Sequence, residues 1–233
     1  MRHGHVDYFA PDITDPRLVP LTDEGRLQAE AARDALRHTH FDIAVCSGLP
    51  RTRETAEIIL SGNENPPELT DLEQIEELKS GWIVAKSREE LAARLAYSFD
   101  SADEEGASFL PEGETFAGAQ SRIVAGLEAL LTGGGWRSAL IVAHEGVNRI
   151  ALGWACGGGL RTIAAFEQDL CCVNLIDFDI TPRPDGAGLQ IERMVVKAMN
   201  VTPYDFVKKG LSRTSLEHLF DIDFGMARPP KAK

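Results

Sequence analysis

The chain has 233 residues, a length that suits one domain or one domain with an insertion. Its net charge of −12 argues against a nucleic-acid or anionic-membrane partner, because both attract basic surfaces. With 43% hydrophobic residues, no long apolar stretch and no secretory signal, the sequence predicts a cytoplasmic globular protein without a membrane span.

The first half of the chain alternates loops, helices and one short buried strand. Three prolines predict a loop from Val6 to Pro20. Thr22 is expected to cap a helix, whose buried face would carry Leu27, Ala31, Ala32, Ala35 and Leu36. The apolar run Ile43 to Cys46 is typical of a parallel strand, and Pro50 is expected to begin a helix that ends near Leu60.

The second half begins with a loop at 62–68 and an acidic stretch with a helix predicted from Ser87. A polar, mobile loop or cap is expected at 101–114, followed by a helix from Thr115 with Phe116, Ala119, Ile123, Leu127 and Leu130 on its buried side. Residues 139–143 give the strongest strand signal, and a helix follows Gly146. Strands at 173–179 and 189–196 are predicted to form a hairpin.

The alternation of strands and helices predicts an α/β fold, a three-layer sandwich with a mostly parallel central sheet flanked by helices. We expect a single domain over 1–233, with a cap or insertion at about 62–114 and a disordered basic tail at about 226–233. Ligands in such folds bind beyond the carboxyl ends of the strands. His3, Ser47 with Arg51, and His144 are all expected at that edge.

The start of the chain departs from this plan. In a doubly wound sheet a strand precedes and supports a catalytic loop, but only Met1 precedes Arg2. Two explanations stay open: the strand is absent, or the true start lies upstream. In the second case, an apolar run is expected just before Arg2.

The cysteines bear on redox and metal chemistry. None of the four forms a Cys-x-x-Cys pair, and two of them are adjacent. We interpret Cys46, Cys156, Cys171 and Cys172 as reduced core thiols.

The candidate site residues suit phosphoryl transfer. An imidazole near its reference pKa of about 6.5 is largely neutral at neutral pH, and a neutral ring nitrogen such as that of His3 can attack phosphorus. The attacked group is anionic, so cations must hold its oxygens. Arg2 and Arg51 fit that role through their planar forks, and a protonated His144 can add a donor.

The leaving alkoxide needs a proton, and a glutamic acid is the natural donor. The same group can later activate water against a phosphohistidine. Glu77 is the first candidate, because a turn at Gly81 and Trp82 can bring it to the site. Glu145 and Glu114 are alternative acids.

These residues lie in six stretches whose order resembles the pattern of the histidine phosphatase superfamily, the phosphoglycerate mutase-like family. The stretches cover residues 2 to about 150 and are highly specific only in combination. They are Arg2-His3-Gly4; Leu21, Thr22, Gly25, Gln28 and Ala29; Ser47, Leu49, Arg51, Thr52, Thr55 and Ala56; Glu77 and Gly81; Gly113, Glu114 and Thr115; and His144 and Gly146.

The resemblance implies a phosphoglycerate mutase-like fold and catalysis without a metal or another cofactor. It implies His3 as the phosphorylated nucleophile, Glu77 as proton donor, and phosphate ligands at Arg2, Arg51 and His144. Many members have Gly where this chain has Glu145. The acid-phosphatase branch places its proton donor at that position, which keeps Glu145 as an alternative.

The sequence thus favours a phosphomonoesterase that forms a phosphohistidine on His3 and acts on a small-molecule phosphate ester. One alternative is a phosphoglycerate-type phosphomutase that uses the same histidine. The Glu-x-x-Trp-Asn that often follows Arg-His-Gly is replaced here by residues 5–9, which favours hydrolysis. The second alternative is a catalytically silent phosphate-binding or regulatory protein. We allow for a homodimer, and we expect no nucleic-acid or membrane partner.

Overall fold

The computed structural model describes residues 1–217, except for 9, 11–12, 80, 82–86, 88–89, 91–93, 96, 209–212 and 215. The predicted tail at 226–233 and Trp82 of the turn predicted after Glu77 lie outside the described residues, as does part of the helix predicted from Ser87. Among the described helices, none combines the length and apolar character that a membrane crossing requires.

A three-stranded parallel sheet forms the centre of the fold. It contains β1 (Ile43–Cys46), β2 (Leu69–Asp71) and β3 (Ala139–Val142) in the order β2-β1-β3. The register pairs Ala44 with both Leu69 and Leu140. The predicted strands in β1 and β3 are confirmed, whereas β2 was not predicted because it is only three residues long and two of them are exposed.

Four helices with clear sequence signals flank the sheet: α1 (Asp23–Leu36), α2 (Pro50–Leu60), α3 (Phe116–Thr132) and α4 (Glu145–Ala155). The Thr22 hydroxyl caps α1 by accepting from the Gly25 backbone N–H, and Thr115 caps α3 in the same way. Single 3-10 turns or short 3-10 helices occur at Pro16–Leu18, Glu73–Ile75 and Gly159–Ala165.

Two hydrophobic cores lie on opposite faces of the sheet, because successive side chains of a strand point to opposite sides. In β1, Val45 packs with α3 and α4, whereas Ala44 and Cys46 pack with α1 and α2. In β3, Leu140 and Val142 join the second core. This is the predicted three-layer α/β sandwich.

The first three residues pair with β3 as a parallel strand would. Arg2 bridges to Ala143, and the Met1 carbonyl accepts from the Ala143 backbone N–H at 2.9 Å. On the other side, the Arg2 backbone N–H donates to the Cys172 carbonyl at 3.1 Å. Main-chain hydrogen bonds therefore hold the opening loop from both sides.

A long antiparallel hairpin follows the sandwich. Strands β4 (Val173–Pro182) and β5 (Leu189–Val201) confirm the predicted hairpin and extend past its predicted ends. On α4, the Trp154 ring lies 5.9 Å from the ring of Phe178 on β4, which joins the hairpin to the sandwich.

The predicted buried face of α1 is wrong at Leu27, which is 66% exposed, and at Ala35, which is also exposed, whereas Ala32 is buried as predicted. Besides Ala32, the helix buries Gly25, Gln28 and Ala29. A Cβ at Gly25 would lie 2.2 Å from the His5 carbonyl oxygen, and Gln28 accepts from the His5 backbone N–H at 2.9 Å. The opening loop thus rests on a small and a polar residue, which hydrophobic periodicity does not reveal.

The four cysteines are free thiols, as expected. Three are buried, but Cys156 is exposed at the end of α4, so its assignment to the core was wrong. A helix end that faces solvent takes a residue of any polarity.

Candidate active site

His3 lies at the carboxyl edge of the parallel sheet. Its backbone N–H donates to the Ala143 carbonyl at 3.1 Å, and its carbonyl accepts from the Cys171 backbone N–H at 2.9 Å. The residue is only 2% exposed. Its main chain is therefore fixed on two sides, which sets the direction of the ring.

The His3 ring is held in one tautomer. Nδ1 lies 2.7 Å from the Gly4 carbonyl oxygen. A carbonyl oxygen only accepts, so Nδ1 carries the proton and Nε2 of the neutral ring keeps its lone pair. Burial lowers the pKa of His3 well below its ordinary value, and the charges of Arg51 and Arg2 lower it further. The ring is thus a neutral imidazole with Nε2 unprotonated.

His144 lies beside His3 at the N-terminus of α4. The two ring centroids are 5.2 Å apart, with an angle of 67° between the planes. Burial lowers the pKa of His144 well below its ordinary value, and Arg51 adds to this effect. The structure therefore brings together two neutral histidines that lie more than 100 positions apart in the chain.

Two hydroxyl groups define the tautomer of His144. The Thr52 hydroxyl donates to the Leu49 carbonyl at 2.8 Å, so it can only accept from the Ser47 hydroxyl, 2.9 Å away. The Ser47 proton is thereby committed, and its oxygen accepts from Nε2 of His144 at 2.8 Å. Nε2 carries the proton of the neutral His144 ring, and Nδ1 is unprotonated.

Arg2 extends its guanidinium group between a carboxylate and a main-chain carbonyl. Nη1 donates to the Gln168 carbonyl at 2.5 Å and lies 3.1 Å from Oε2 of Glu145. The residue is 2% exposed. These contacts fix the orientation of the group while leaving Nε without a partner.

Arg51 lies in the first turn of α2, where free backbone N–H groups favour anions. Its Nη1 donates to the carbonyls of Pro16 and Arg17 at 3.2 and 3.4 Å. Its guanidinium carbon lies 5.6 Å from the centre of the Tyr8 ring. The loop before α1 therefore positions Arg51, and it brings Tyr8 to the site.

Buried polar atoms without a partner are rare in folded proteins and call for an explanation. Within the part of the chain that the structure describes, five such side-chain atoms occur, and three of them belong to the site. They are Nε of Arg2, Nε of Arg51 and Nδ1 of His144. An oxyanion bound among them would satisfy the two guanidinium donors, and it would also satisfy His144 once Nδ1 is protonated.

The Glu77 carboxyl lies against α4. A Cβ at Gly146 would be 2.8 Å from Oε1 of Glu77, and this oxygen accepts from the Leu78 backbone N–H at 2.9 Å. Burial raises the pKa of Glu77, and the negative charge of Glu145 raises it further, while the Leu78 hydrogen bond and the arginines oppose the shift. A carboxyl group with a raised pKa can hold a proton for transfer.

Glu145 has a different environment, between two guanidinium groups. Besides Arg2, its Oε1 accepts from Nη2 and Nε of Arg149 at 2.8 and 3.0 Å. The side chain is 6% exposed. Two adjacent cations favour the ionised form, which has no proton to donate.

Glu114 forms a bidentate pair with Arg122. Burial acts to raise the pKa of Glu114, but hydrogen bonds and attraction from Arg122 outweigh it, and the pKa is lowered. Glu77 combines contact with α4 beside His144 and a raised pKa, whereas Glu145 and Glu114 are each paired with arginine.

The sequence alone assigns no chemical role to several groups that contact the predicted site residues. The hydroxyls of Ser47 and Thr52, the main-chain carbonyl of Gln168, and Arg149 all act on the predicted residues. Arg149 could have been found from its i+4 spacing to Glu145 on a helix. The Gln168 carbonyl leaves no such signal, because any residue supplies a carbonyl.

Comparison with known proteins identifies the family of the chain. The family model of the histidine phosphatase superfamily (branch 1) matches residues 1–182. The probable 2-carboxy-D-arabinitol-1-phosphatase of Arabidopsis thaliana is 30% identical over 189 residues, which are 78% of this chain but only 36% of that protein. The adenosylcobalamin/alpha-ribazole phosphatase of Salmonella typhimurium is 30% identical over 179 residues, which are 76% of this chain and 88% of that protein.

Solved structures share the fold. The alpha-ribazole phosphatase from Shigella flexneri has a TM-score of 0.65 at 23% identity, over 86% of this chain and 94% of that one. A phosphoserine phosphatase from Entamoeba histolytica, solved with 3-phosphoglyceric acid, has a TM-score of 0.64 at 20% identity, over 85% and 93% of the two chains. At these identities the likeness concerns the fold.

Proposed function

The chain belongs to the histidine phosphatase superfamily, and we propose that it is a phosphomonoesterase that hydrolyses a small phosphorylated substrate through a phosphohistidine on His3. One observation carries the proposal: three buried nitrogen atoms without a partner belong to Arg2, Arg51 and His144, the residues whose side chains surround the neutral His3 ring. Such a set suits a tetrahedral oxyanion next to a nucleophile.

In the first step, the lone pair on Nε2 of His3 attacks phosphorus and a P–N bond forms. The P–O bond to the leaving alkoxide breaks, and Glu77 gives its proton to that oxygen. The proton on Nδ1 of His3 stays hydrogen-bonded to the Gly4 carbonyl, which stabilises the positive charge that develops on the ring.

In the second step, the Glu77 carboxylate accepts a proton from water as the water oxygen attacks phosphorus. The P–N bond breaks, and its electron pair returns to Nε2 of His3. Inorganic phosphate leaves, and Glu77 is again protonated. Atoms and charge balance over the two steps, since one water is consumed for each ester bond broken.

The phosphate ligands act in both steps. Arg2 and Arg51 offset the negative charge of the transferring group, and their fixed positions avoid the cost of reorganising solvent. His144 donates from Nδ1 only after it gains a proton, because Nε2 already donates to Ser47. Glu145 keeps Arg2 oriented and does not donate a proton itself.

The two relatives described above have different names, 2-carboxy-D-arabinitol-1-phosphatase and adenosylcobalamin/alpha-ribazole phosphatase, but both are named phosphatases. Hydrolysis of a small phosphate ester is the element that we carry over to this chain. The cytoplasmic location, the homodimer and the single domain with a cap stay predictions.

The test is turnover of a chromogenic phosphomonoester. We expect the wild type and His40→Ala to release inorganic phosphate, because the His40 side chain is 76% exposed and pairs with Asp42 at the surface. His3→Ala should abolish turnover. Phosphate binding without turnover in the wild type would favour a silent binding protein, and transfer of the phosphoryl group back to substrate in preference to water would favour a mutase.

A further inference from the structure

Arg122, on α3, uses every nitrogen of its guanidinium group to hold the segment that carries Glu77. Nε and Nη2 donate to the two carboxylate oxygens of Glu114 at 2.8 and 2.7 Å. Nη1 donates to the carbonyls of Gln74 and Glu76 at 2.7 and 3.0 Å. Arg122 therefore contacts the residue that directly precedes Glu77.

Glu114 holds the same segment on the other side of Glu77. Its backbone N–H donates to the Lys79 carbonyl at 2.8 Å, and its carboxylate accepts from the Lys79 backbone N–H at 3.4 Å. The main chain is thus fixed before Glu77, at residue 76, and after it, at residue 79. Arg122 and Glu114 are 24% and 16% exposed, so the pair is largely shielded from solvent.

We propose that Arg122 and Glu114 form a brace that positions the Glu77 carboxyl for proton transfer, without contact between the brace and the substrate. This inference rests on the proposed function, in which Glu77 is the acid. It assigns Arg122 and Glu114 as positioning residues and gives Glu114 a role other than that of a proton donor.

The geometry of the brace requires arginine. A planar fork binds both carboxylate oxygens and still has a third nitrogen for the two carbonyls, whereas a lysine ammonium is a single point charge. Proton transfer is sensitive to position, and a misplacement of about 1 Å can lower a rate roughly 100-fold. A small shift of the 74–79 segment is therefore expected to affect chemistry more than binding.

The experiment compares two substrates for each variant. Hydrolysis of an alkyl phosphate depends on protonation of its leaving group far more than hydrolysis of an activated aryl phosphate does. A comparison of kcat/KM for the two esters therefore separates proton transfer from the rest of catalysis. For Arg122→Met we expect a loss of about 10- to 100-fold on the alkyl ester and less than about 3-fold on the aryl ester. Arg122→Lys and Glu114→Gln should show smaller losses with the same selectivity.

The control is Arg193→Met, which breaks an exposed ion pair with Asp179 on the hairpin. This variant should leave kcat/KM unchanged for both esters. Equal losses on both esters, or no loss with Arg122→Met, would overturn the brace. If Arg122→Met does not fold, Arg122→Lys and Glu114→Gln test the brace in its place, through the ratio of the kcat/KM losses on the alkyl and aryl esters.

Glu77→Gln is measured in parallel. If the brace acts through Glu77, the double variant Arg122→Met/Glu77→Gln should be no slower on the alkyl ester than Glu77→Gln alone. If Glu77→Gln itself lacks the selectivity, the assignment of Glu77 as the acid fails, and the brace fails with it. If Glu77→Gln is selective but Arg122→Met is not, only the brace is refuted.

Discussion

The ring of His144 lies edge-on to the ring of His3, with centroids 5.2 Å apart. Burial lowers the pKa of both rings, and the charges of Arg51 and Arg2 lower it further. Both rings are neutral in the free protein. One has its lone pair on Nε2 and the other on Nδ1. The same residue type is thus prepared for two roles, attack on phosphorus and donation to its oxygens.

The tautomer of His144 predicts proton uptake on anion binding. Sulfate, a tetrahedral dianion that holds no proton near neutral pH, should bind with uptake of up to one proton, because Nδ1 must be protonated to donate. The measurement is titration calorimetry in buffers of different ionisation enthalpy. Glu77→Gln should keep most of the uptake and His144→Asn should lose it. Equal uptake in the wild type and His144→Asn would contradict the assigned tautomer.

The raised pKa of Glu77 predicts the leaving-group and pH behaviour of the enzyme. Glu77→Gln should slow an alkyl phosphate about 100-fold or more and an activated aryl phosphate far less. The acid form is the active one, so the basic limb of kcat/KM for the alkyl ester should fall as pH rises through a value above the ordinary range of a glutamic acid. Equal slowing of both esters would move the role to Glu145 or Glu114.

Removal of the Glu145 charge should change two properties together. Glu145→Gln keeps the shape of the side chain but removes a charge that raises the pKa of Glu77, so the basic limb should move to lower pH. The pocket also becomes more positive. Inhibition by inorganic phosphate should therefore strengthen by roughly tenfold, for an interaction of about 1–2 kcal/mol. The exposed Asp179→Asn is the control, and an unmoved basic limb would count against this role for Glu145.

The contact between the opening loop and α1 predicts a steep cost for a methyl group at Gly25. A Cβ at this position would lie 2.2 Å from the His5 carbonyl oxygen, and main chain cannot move aside as a flexible side chain can. Gly25→Ala should lower the free energy of unfolding by about 1–3 kcal/mol and reduce turnover, because the loop carries His3. Gly118→Ala, where the nearest atom is 3.1 Å from a Cβ, is the matched control in denaturant unfolding. Equal stability of the two variants would refute this packing role.

The alternation of strands and helices predicted the layers of the fold because the four helices and the strands β1 and β3 each have a local signal in the sequence. Thr22 and Thr115 mark helix starts, and the apolar runs in β1 and β3 mark buried strands. The strand β2 is too short to leave such a signal, and the exposed Leu27 shows that a periodic pattern alone can assign the wrong face.

The candidate site was predicted as a set of residue types, and the structure supplies what holds them. The Ser47–Thr52 hydroxyl pair and the Arg122 brace depend on which donors already bind other partners. Neither periodicity nor spacing contains that information. In the brace, for example, Arg122 contacts Gln74 and Glu76, which lie 48 and 46 residues away in the chain. Residue types therefore predicted the reaction, and the hydrogen bonds assign the protons.

The central claim is the covalent step on His3, and rapid quench with a radiolabelled phosphomonoester tests it most directly. We expect an acid-labile, base-stable phosphoryl group on the peptide that contains His3, formed and lost at rates consistent with turnover, and absent in His3→Ala. Full activity with no label on His3 under rapid quench, or turnover retained by His3→Ala, would contradict it.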